Sequence, residues 1–257
     1  KGQMNVTVFD GLMKEKERKG GGFFLLLDPD RLPEREIIDL TEAASEADID
    51  AVLVGTSLAL FKNFQQSVRL IKEHSSRPVI IFPGSHSQIA PDADAILFTS
   101  LISGRNPNYL IDEQVKGAPI IREYGLETIP TGYMLIDSGR YTSVQYISHT
   151  LPIPSDKNDI ACAHALAAEY LGMKMVFLEA GSGAKQPVPD EMIKEVSEYV
   201  SIPIIVGGGI RTPQEVDRKI RAGASFVVVG NHFEGGADKE LMREFADAAH
   251  PLHQVGV

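Results

Sequence analysis

Apolar residues along this chain gather in short runs, each closed by small or polar residues and separated by stretches with helical spacing. Phe23 to Leu27 ends in Asp28-Pro29-Asp30, Ala51 to Val54 in Gly55-Thr56-Ser57, and Val79 to Phe82 in Pro83-Gly84-Ser85. Ala95 to Phe98, Glu127 to Asp137, Met175 to Glu179, Pro203 to Ile210 and Phe226 to Asn231 bring the runs to eight. Continuous apolar runs of this length are those of strands buried on both faces of a parallel sheet. Helical periodicity covers Val6 to Arg18, Glu34 to Ala47, Leu58 to His74, Asn108 to Tyr124, Asp156 to Leu171, Asp190 to Val200, Thr212 to Ala222 and Lys239 to Ala249. The alternation breaks at Ser85 to Asp94, which is too short and irregular for a crossover helix. Ser138 to Pro154 reads as a long polar loop without regular structure, the kind that is usually functional. Alternating strands and helices in 257 residues predict one α/β domain over 1–257, a TIM-like (β/α)8 barrel with an irregular segment in place of the third helix. Lys1-Gly-Gln reads as a remnant before a native start at Met4.

Charge and cysteine content narrow the function classes. Formal net charge is −10, so a broad nucleic-acid or anionic-membrane surface is not expected, and any bound anion must be gripped locally. No run is long enough for a transmembrane segment, and no signal peptide is visible. Cys162 is the single cysteine, which excludes an internal disulfide and a cysteine metal cage. Its alanine-rich surroundings mark it as a small core residue in a reducing, cytoplasmic setting.

A barrel gathers the carboxyl ends of its strands at one face, where chemistry sits. The residues there are Asp28, Asp30, Ser57, Ser85, Thr99, Glu179, Ser182, Gly208, Gly209, Gly230 and Asn231. The glycine-closed sixth, seventh and eighth runs point to one shared phosphate site, because glycine lets backbone N–H groups approach an anion and a following helix aims its positive end there. The same glycines also suit plain turns. Asp28 and Asp30 fit either a Mg²⁺ ligand, since a hard cation takes carboxylate oxygen together with substrate phosphates, or helix-entry acids beside Pro29. Glu179 closes a buried strand, so its carboxylate needs a partner: a substrate alcohol or a basic side chain. His86, His149 and His164 stand singly, without metal-ligand spacing. A sugar-phosphate isomerase or lyase, or a non-catalytic phosphate-binding barrel, would share the phosphate grip.

Longer motifs are more specific. Leu25-Leu-Leu-Asp-Pro-Asp30, Val54-Gly-Thr-Ser57, Gly132-Tyr-Met-Leu-Ile136, Thr142 to Pro154, Leu178-Glu-Ala-Gly-Ser-Gly183, Val206-Gly-Gly-Gly-Ile-Arg211 and Val229-Gly-Asn231 together resemble the geranylgeranylglyceryl phosphate synthases, over nearly the whole chain. The resemblance implies transfer of a polyprenyl group from its diphosphate to the 3-hydroxyl of sn-glycerol 1-phosphate, with Mg²⁺ as cofactor and pyrophosphate released, in ether-lipid biosynthesis. By motif position it implies Asp28 and Ser57 at the metal, with Asp28 and Glu179 catalytic. It places Phe177, Leu178, Glu179, Ala180, Gly181, Ser182, Gly183, Gly208, Gly209, Gly230 and Asn231 at the glycerol phosphate. It also implies a homo-oligomer, dimer or hexamer. The family usually has tyrosine where this chain has Phe177. Bacterial heptaprenyl members carry lysine where this chain has Leu26, which favours geranylgeranyl diphosphate as donor.

Overall fold

The computed structural model describes residues 6–57 and 63–252. Eight parallel strands close into a barrel in sequence order, β1 (Gly22–Leu27), β2 (Ala51–Val54), β3 (Val79–Ile81), β4 (Ala95–Leu101), β5 (Glu127–Leu135), β6 (Met175–Glu179), β7 (Ile204–Gly207) and β8 (Phe226–Val229). The helices are α1 (Val8–Lys19), α2 (Glu34–Glu46), α3 (Phe64–His74), α4 (Glu113–Tyr124), α5 (Ser143–Ser148), α6 (Asn158–Tyr170), α7 (Asp190–Tyr199), α8 (Pro213–Arg221) and α9 (Lys239–Ala249). The helix expected from Leu58 is described only from Phe64; residues 58–62 lie outside the described set. Among the described residues no helix is long and apolar enough to cross a membrane.

Strand periodicity divides the core in two. Phe24, Leu53, Ile80, Leu97, Tyr133, Phe177, Ile205 and Phe226 fill the barrel interior. Their neighbours Phe23, Leu25, Val52, Ile81, Ile96, Val176, Leu178, Val206 and Val227 face the helices. Successive side chains alternate between faces, so the apolar runs have no exposed side, which is why they lack a polar stripe. The same alternation turns Glu179, two residues past Phe177, into the barrel mouth.

Two local departures shape that mouth. β3 has three residues and meets β4 only through Ile80 with Ala95 and Ile81 with Ile96, whereas β4 and β5 pair from Ala95–Glu127 to Leu101–Tyr133. The chain from Pro83 to Asp94 then runs without a helix, as the pattern predicted. One long helix was expected over Asn108 to Tyr124, but its first turn, Asn108–Asp112, is π-helical, a form that often marks functional sites. The polar segment Ser138 to Pro154 is not structureless. Thr142 caps α5 by accepting the Gln145 N–H, and Ile153 bridges to Ile136, so the excursion is held against the barrel rim. Thr142, Ser148, Thr150 and Ile153 are buried there, inward-facing positions too sparse to register as a helix from sequence.

The opposite, amino-terminal face is closed by a buried ionic cluster. Asp50 Oδ1 accepts the Lys19 ammonium at 2.9 Å, while Oδ2 accepts the Phe23 N–H at 2.8 Å and also lies 2.8 Å from His250 Nε2. Lys19 also pairs with Asp48 at 3.1 Å, which explains how a fully buried lysine is tolerated. The cluster joins α1, β1, β2 and the end of α9, so it fastens the first helix to the last.

Candidate active site

One continuous cavity of about 390 Å³ opens at the carboxyl ends of the strands. Asp28, Ser57, Ser85, Thr99, Glu179, Ser182, Gly183, Gly208, Gly209, Gly230 and Asn231 all line it, brought together from seven strand ends as barrel closure requires. Asp30 does not; its backbone N–H donates to Asp28 Oδ1 at 3.1 Å and helps to hold that carboxylate.

Four residues expected at the ligand lie elsewhere. Leu178 and Ala180 point outward into the helix layer, the necessary result of alternation around Glu179. Gly181, at φ +96°, lies against Thr142, where a Cβ would come within 2.4 Å. It serves Glu179 instead, donating its N–H to Oε1 at 2.5 Å. Phe177 sits one layer down, fully buried, stacked on Phe82 at 5.0 Å and edge-on to Tyr133 at 5.6 Å.

Glu179 stands on this aromatic floor. Burial pushes its carboxyl up to about 7, opposed only by the Gly181 N–H. A Cβ on Gly208 would meet Oε1 at 2.5 Å, and one on Gly207 would meet Oε2 at 2.9 Å and the edge of Phe177 at 2.9 Å. These glycines therefore make room for the carboxylate as well as for any ligand, and a bulky residue at 208 would strike the Gly181 backbone. Tyr133 lies beside Phe177 with its phenol held protonated, by burial first and then by the nearby Glu179 charge. Phe177→Tyr would place a second hydroxyl where Glu179 Oε2 is in reach. Its bond to the ionised form should lower the Glu179 pKa below 7, seen as an acid-side shift in the pH–rate profile with turnover at pH 8 retained. An unmoved profile would show that the added hydroxyl bonds elsewhere.

The phosphate-sized end is built from three cross-tied loops. Ser182 Oγ donates to Asn231 Oδ1 at 2.9 Å, and Arg211 Nη2 donates to the Ala184 carbonyl at 2.6 Å. Gly208 and Gly209 are both left-handed, at φ +84° and +76°, so successive amides turn toward one point. Among the described residues, the backbone N–H groups of Gly208, Gly209, Gly230 and Asn231 find no protein acceptor. Donors of this kind at a cavity wall form an anion cradle. The α8 N-terminus contributes less than expected, because Thr212 and Glu215 already close it as a capping box.

Several lining residues gave no sequence signal. Arg211 is the one lysine or arginine among the described lining residues, set against the carboxylates of Asp28, Glu113, Glu179 and Glu234. Burial raises the pKa of both Asp28 and Glu234, and Arg31 lies 3.3 Å from the first and 3.8 Å from the second. His86, which stands singly in the sequence, bonds Glu113 at 2.8 Å across the cavity rim. Only the fold brings these side chains together. His149 and His164 lie outside the cavity.

With this geometry in place, comparison with known proteins is decisive. A family model described as the PcrB family matches residues 12–249. This chain belongs to the PcrB family. A geranylgeranylglyceryl phosphate synthase of Chitinophaga pinensis is 44% identical over 252 residues, covering 98% of this chain and 99% of the relative. One from Korarchaeum cryptofilum is 42% identical over 239 residues, covering 92% of this chain and 98% of the relative. Among solved structures, the (S)-3-O-geranylgeranylglyceryl phosphate synthase of Thermoplasma acidophilum, in complex with its substrate sn-glycerol-1-phosphate, superposes with a TM-score of 0.90 at 32% identity, covering 96% of this chain and all of that one. The resemblance read from the motifs and the closed barrel both stand.

Proposed function

We propose that this PcrB-family barrel transfers a polyprenyl group, geranylgeranyl by the Leu26 signature, from its diphosphate to the 3-hydroxyl of sn-glycerol 1-phosphate. The observation that carries the reading is a single cavity with an anion cradle at one end, Glu179 at its floor and an apolar extension at the other. The cradle of Ser182–Gly183, Gly208–Gly209 and Gly230–Asn231 suits the phosphate of the acceptor. Held there, the glycerol chain reaches toward Glu179, whose pKa near 7 matches a general base working at neutral pH. As the hydroxyl oxygen bonds to C1 of the prenyl group, its proton passes to the Glu179 carboxylate. The bond from C1 to the diphosphate oxygen breaks with its electron pair leaving on pyrophosphate. Tyr133, protonated and lining the cavity, offers a hydroxyl donor to the bound substrates.

Four carboxylates and one arginine make a poor environment for a diphosphate by themselves. Asp28 and Ser57 fit Mg²⁺: they offer a partly buried carboxylate and a hydroxyl oxygen at the cavity wall. Magnesium is commonly held in this way, by few protein oxygens plus substrate phosphates. When bound, the cation would neutralise charge on the departing diphosphate. Asp28→Asn should keep the fold but abolish Mg²⁺-dependent tightening of prenyl diphosphate binding in calorimetry, with turnover falling by on the order of 10²-fold or more. Unchanged metal dependence in that variant would remove Asp28 from the metal site.

The reading as a whole is tested by mixing the protein with geranylgeranyl diphosphate, sn-glycerol 1-phosphate and Mg²⁺ and measuring pyrophosphate. Release that requires both organic substrates supports it; turnover of a sugar phosphate with no prenyl donor would favour an isomerase or lyase on the same barrel.

A further inference from the structure

The loops that follow β2 and β3 touch backbone to backbone. A Cβ on Gly55 would run into the Phe82 carbonyl, and one on Gly84 into the Thr56 carbonyl. Both glycines are there for this close approach. No helix follows β3 between Pro83 and Asp94, so the second loop has no helix of its own to anchor it. One side chain takes that place. Gln88 is only 1% exposed, and its backbone N–H donates to the Ser85 carbonyl at 3.1 Å. Its Oε1 accepts the N–H groups of Thr56 and Gly84, each at 3.2 Å, and its Nε2 donates to the Thr56 carbonyl at 2.9 Å.

A single amide therefore holds both peptide units of Thr56. The N–H fixes the planar unit before its Cα, and the carbonyl fixes the unit that leads into Ser57. Thr56 and Ser57 line the cavity, whereas Gln88 does not; it acts from behind the wall. The same loop reaches Asp28: burial raises the Asp28 pKa, and the Asp30 N–H, Arg31 and the Thr56 hydroxyl oppose it. An amide is costly to bury unless it is bonded, so a site that needed only volume would be better filled by methionine. We infer that Gln88 is a positioning residue, which clamps the Thr56–Ser57 peptide and so sets where Ser57 meets the cavity that Asp28 also lines. This rests on the reading of Asp28 and Ser57 as the Mg²⁺ site and adds to it the side chain that holds the site in shape. The hydrogen bonds of the Gln88 amide all run to the β2 and β3 loops, not to the β6, β7 and β8 loops that form the anion cradle. Its loss should therefore separate the two substrates.

The test reads geranylgeranyl diphosphate binding by calorimetry over a series of Mg²⁺ concentrations, with sn-glycerol 1-phosphate binding measured on the same protein. Gln88→Met keeps the length of the side chain and removes all three of its hydrogen bonds. It should need about 10- to 100-fold more Mg²⁺ for the same donor affinity, the usual effect of losing a group behind a metal ligand, while glycerol 1-phosphate affinity stays within about twofold. In turnover, KM for the donor should rise at low Mg²⁺ and return toward the parent's at saturating Mg²⁺, with kcat recovered. Gln88→Asn guards against misfolding: it keeps the site polar but is one methylene too short to meet both loops, so its Mg²⁺ requirement should lie between those of the parent and Gln88→Met. A parental Mg²⁺ requirement in a folded Gln88→Met or, if that variant unfolds, in Gln88→Asn would overturn the inference. Equal loss of both ligands in both variants would do the same, by assigning Gln88 to the fold alone. Donor binding that ignores Mg²⁺ in the parent protein would instead sink the metal reading itself, and the inference with it.

Discussion

Glu179→Gln should lose on the order of 10²–10⁴ in turnover, the range of general-base catalysis, and should be the more stable protein at pH 8. Glutamine keeps an acceptor for the Gly181 N–H but cannot take the hydroxyl proton. The stability change follows from the same burial that tunes the base. Glu179 titrates near 4.5 when unfolded and at about 7 when folded, so the folded state binds the proton more tightly. Native stability therefore falls as pH rises from about 4.5 and levels off above about 7, a loss of about 3 kcal/mol in all. Glutamine carries no such slope. Denaturant melts should find the variant near parental stability at pH 4.5 and about 3 kcal/mol more stable at pH 8. A variant that keeps near-normal turnover removes Glu179 from proton transfer; one without the pH-dependent gain shows that the carboxyl is not desolvated.

Asp50→Ala should be the most destabilising single change outside the site, costing about 3–5 kcal/mol. It would leave Lys19 with Asp48 and the more distant Glu15, and would take the carboxylate acceptor from His250 and from the Phe23 N–H inside the amino-terminal face. Against a total stability of about 5–15 kcal/mol for a native domain, that loss is visible in any melt. Burial by itself would raise the Asp50 pKa, but its bonds to His250 and Lys19 hold it below 3.8. A depressed folded pKa contributes stability above the unfolded value and loses it as pH falls through the folded one. The wild type should therefore lose this contribution only in strong acid, below about pH 4, while Asp50→Ala lacks it at every pH. A urea midpoint at pH 7 equal to the parent's would show the cluster to be neutral. Catalysis per folded molecule should be unchanged, because the cluster lies at the opposite end of the barrel from Glu179.

Strand identity and order were legible because most strand positions are buried on both faces, leaving apolar runs closed by small or polar residues. Glu179 was placed at the mouth by its position at the carboxyl end of a buried strand, and the structure turns it inward by alternation from Phe177. That alternation equally required Leu178 and Ala180 to face outward, a consequence that motif matching overrode. The Ser138 to Pro154 segment escaped because α5 buries only part of its short face, below the length at which a helical period shows. Asp50 with Lys19 and His250, and His86 with Glu113, are pairings between distant segments and leave no local pattern.

The most direct test of the account follows the acceptor oxygen. sn-Glycerol 1-phosphate labelled with heavy oxygen at its 3-hydroxyl, turned over with geranylgeranyl diphosphate, should give an ether product that retains the label in full. The released pyrophosphate should be unlabelled and equal in amount to the ether. Label appearing in pyrophosphate, an ether without label, or diphosphate consumed with only free prenyl alcohol formed would contradict attack by a glycerol hydroxyl held at Glu179.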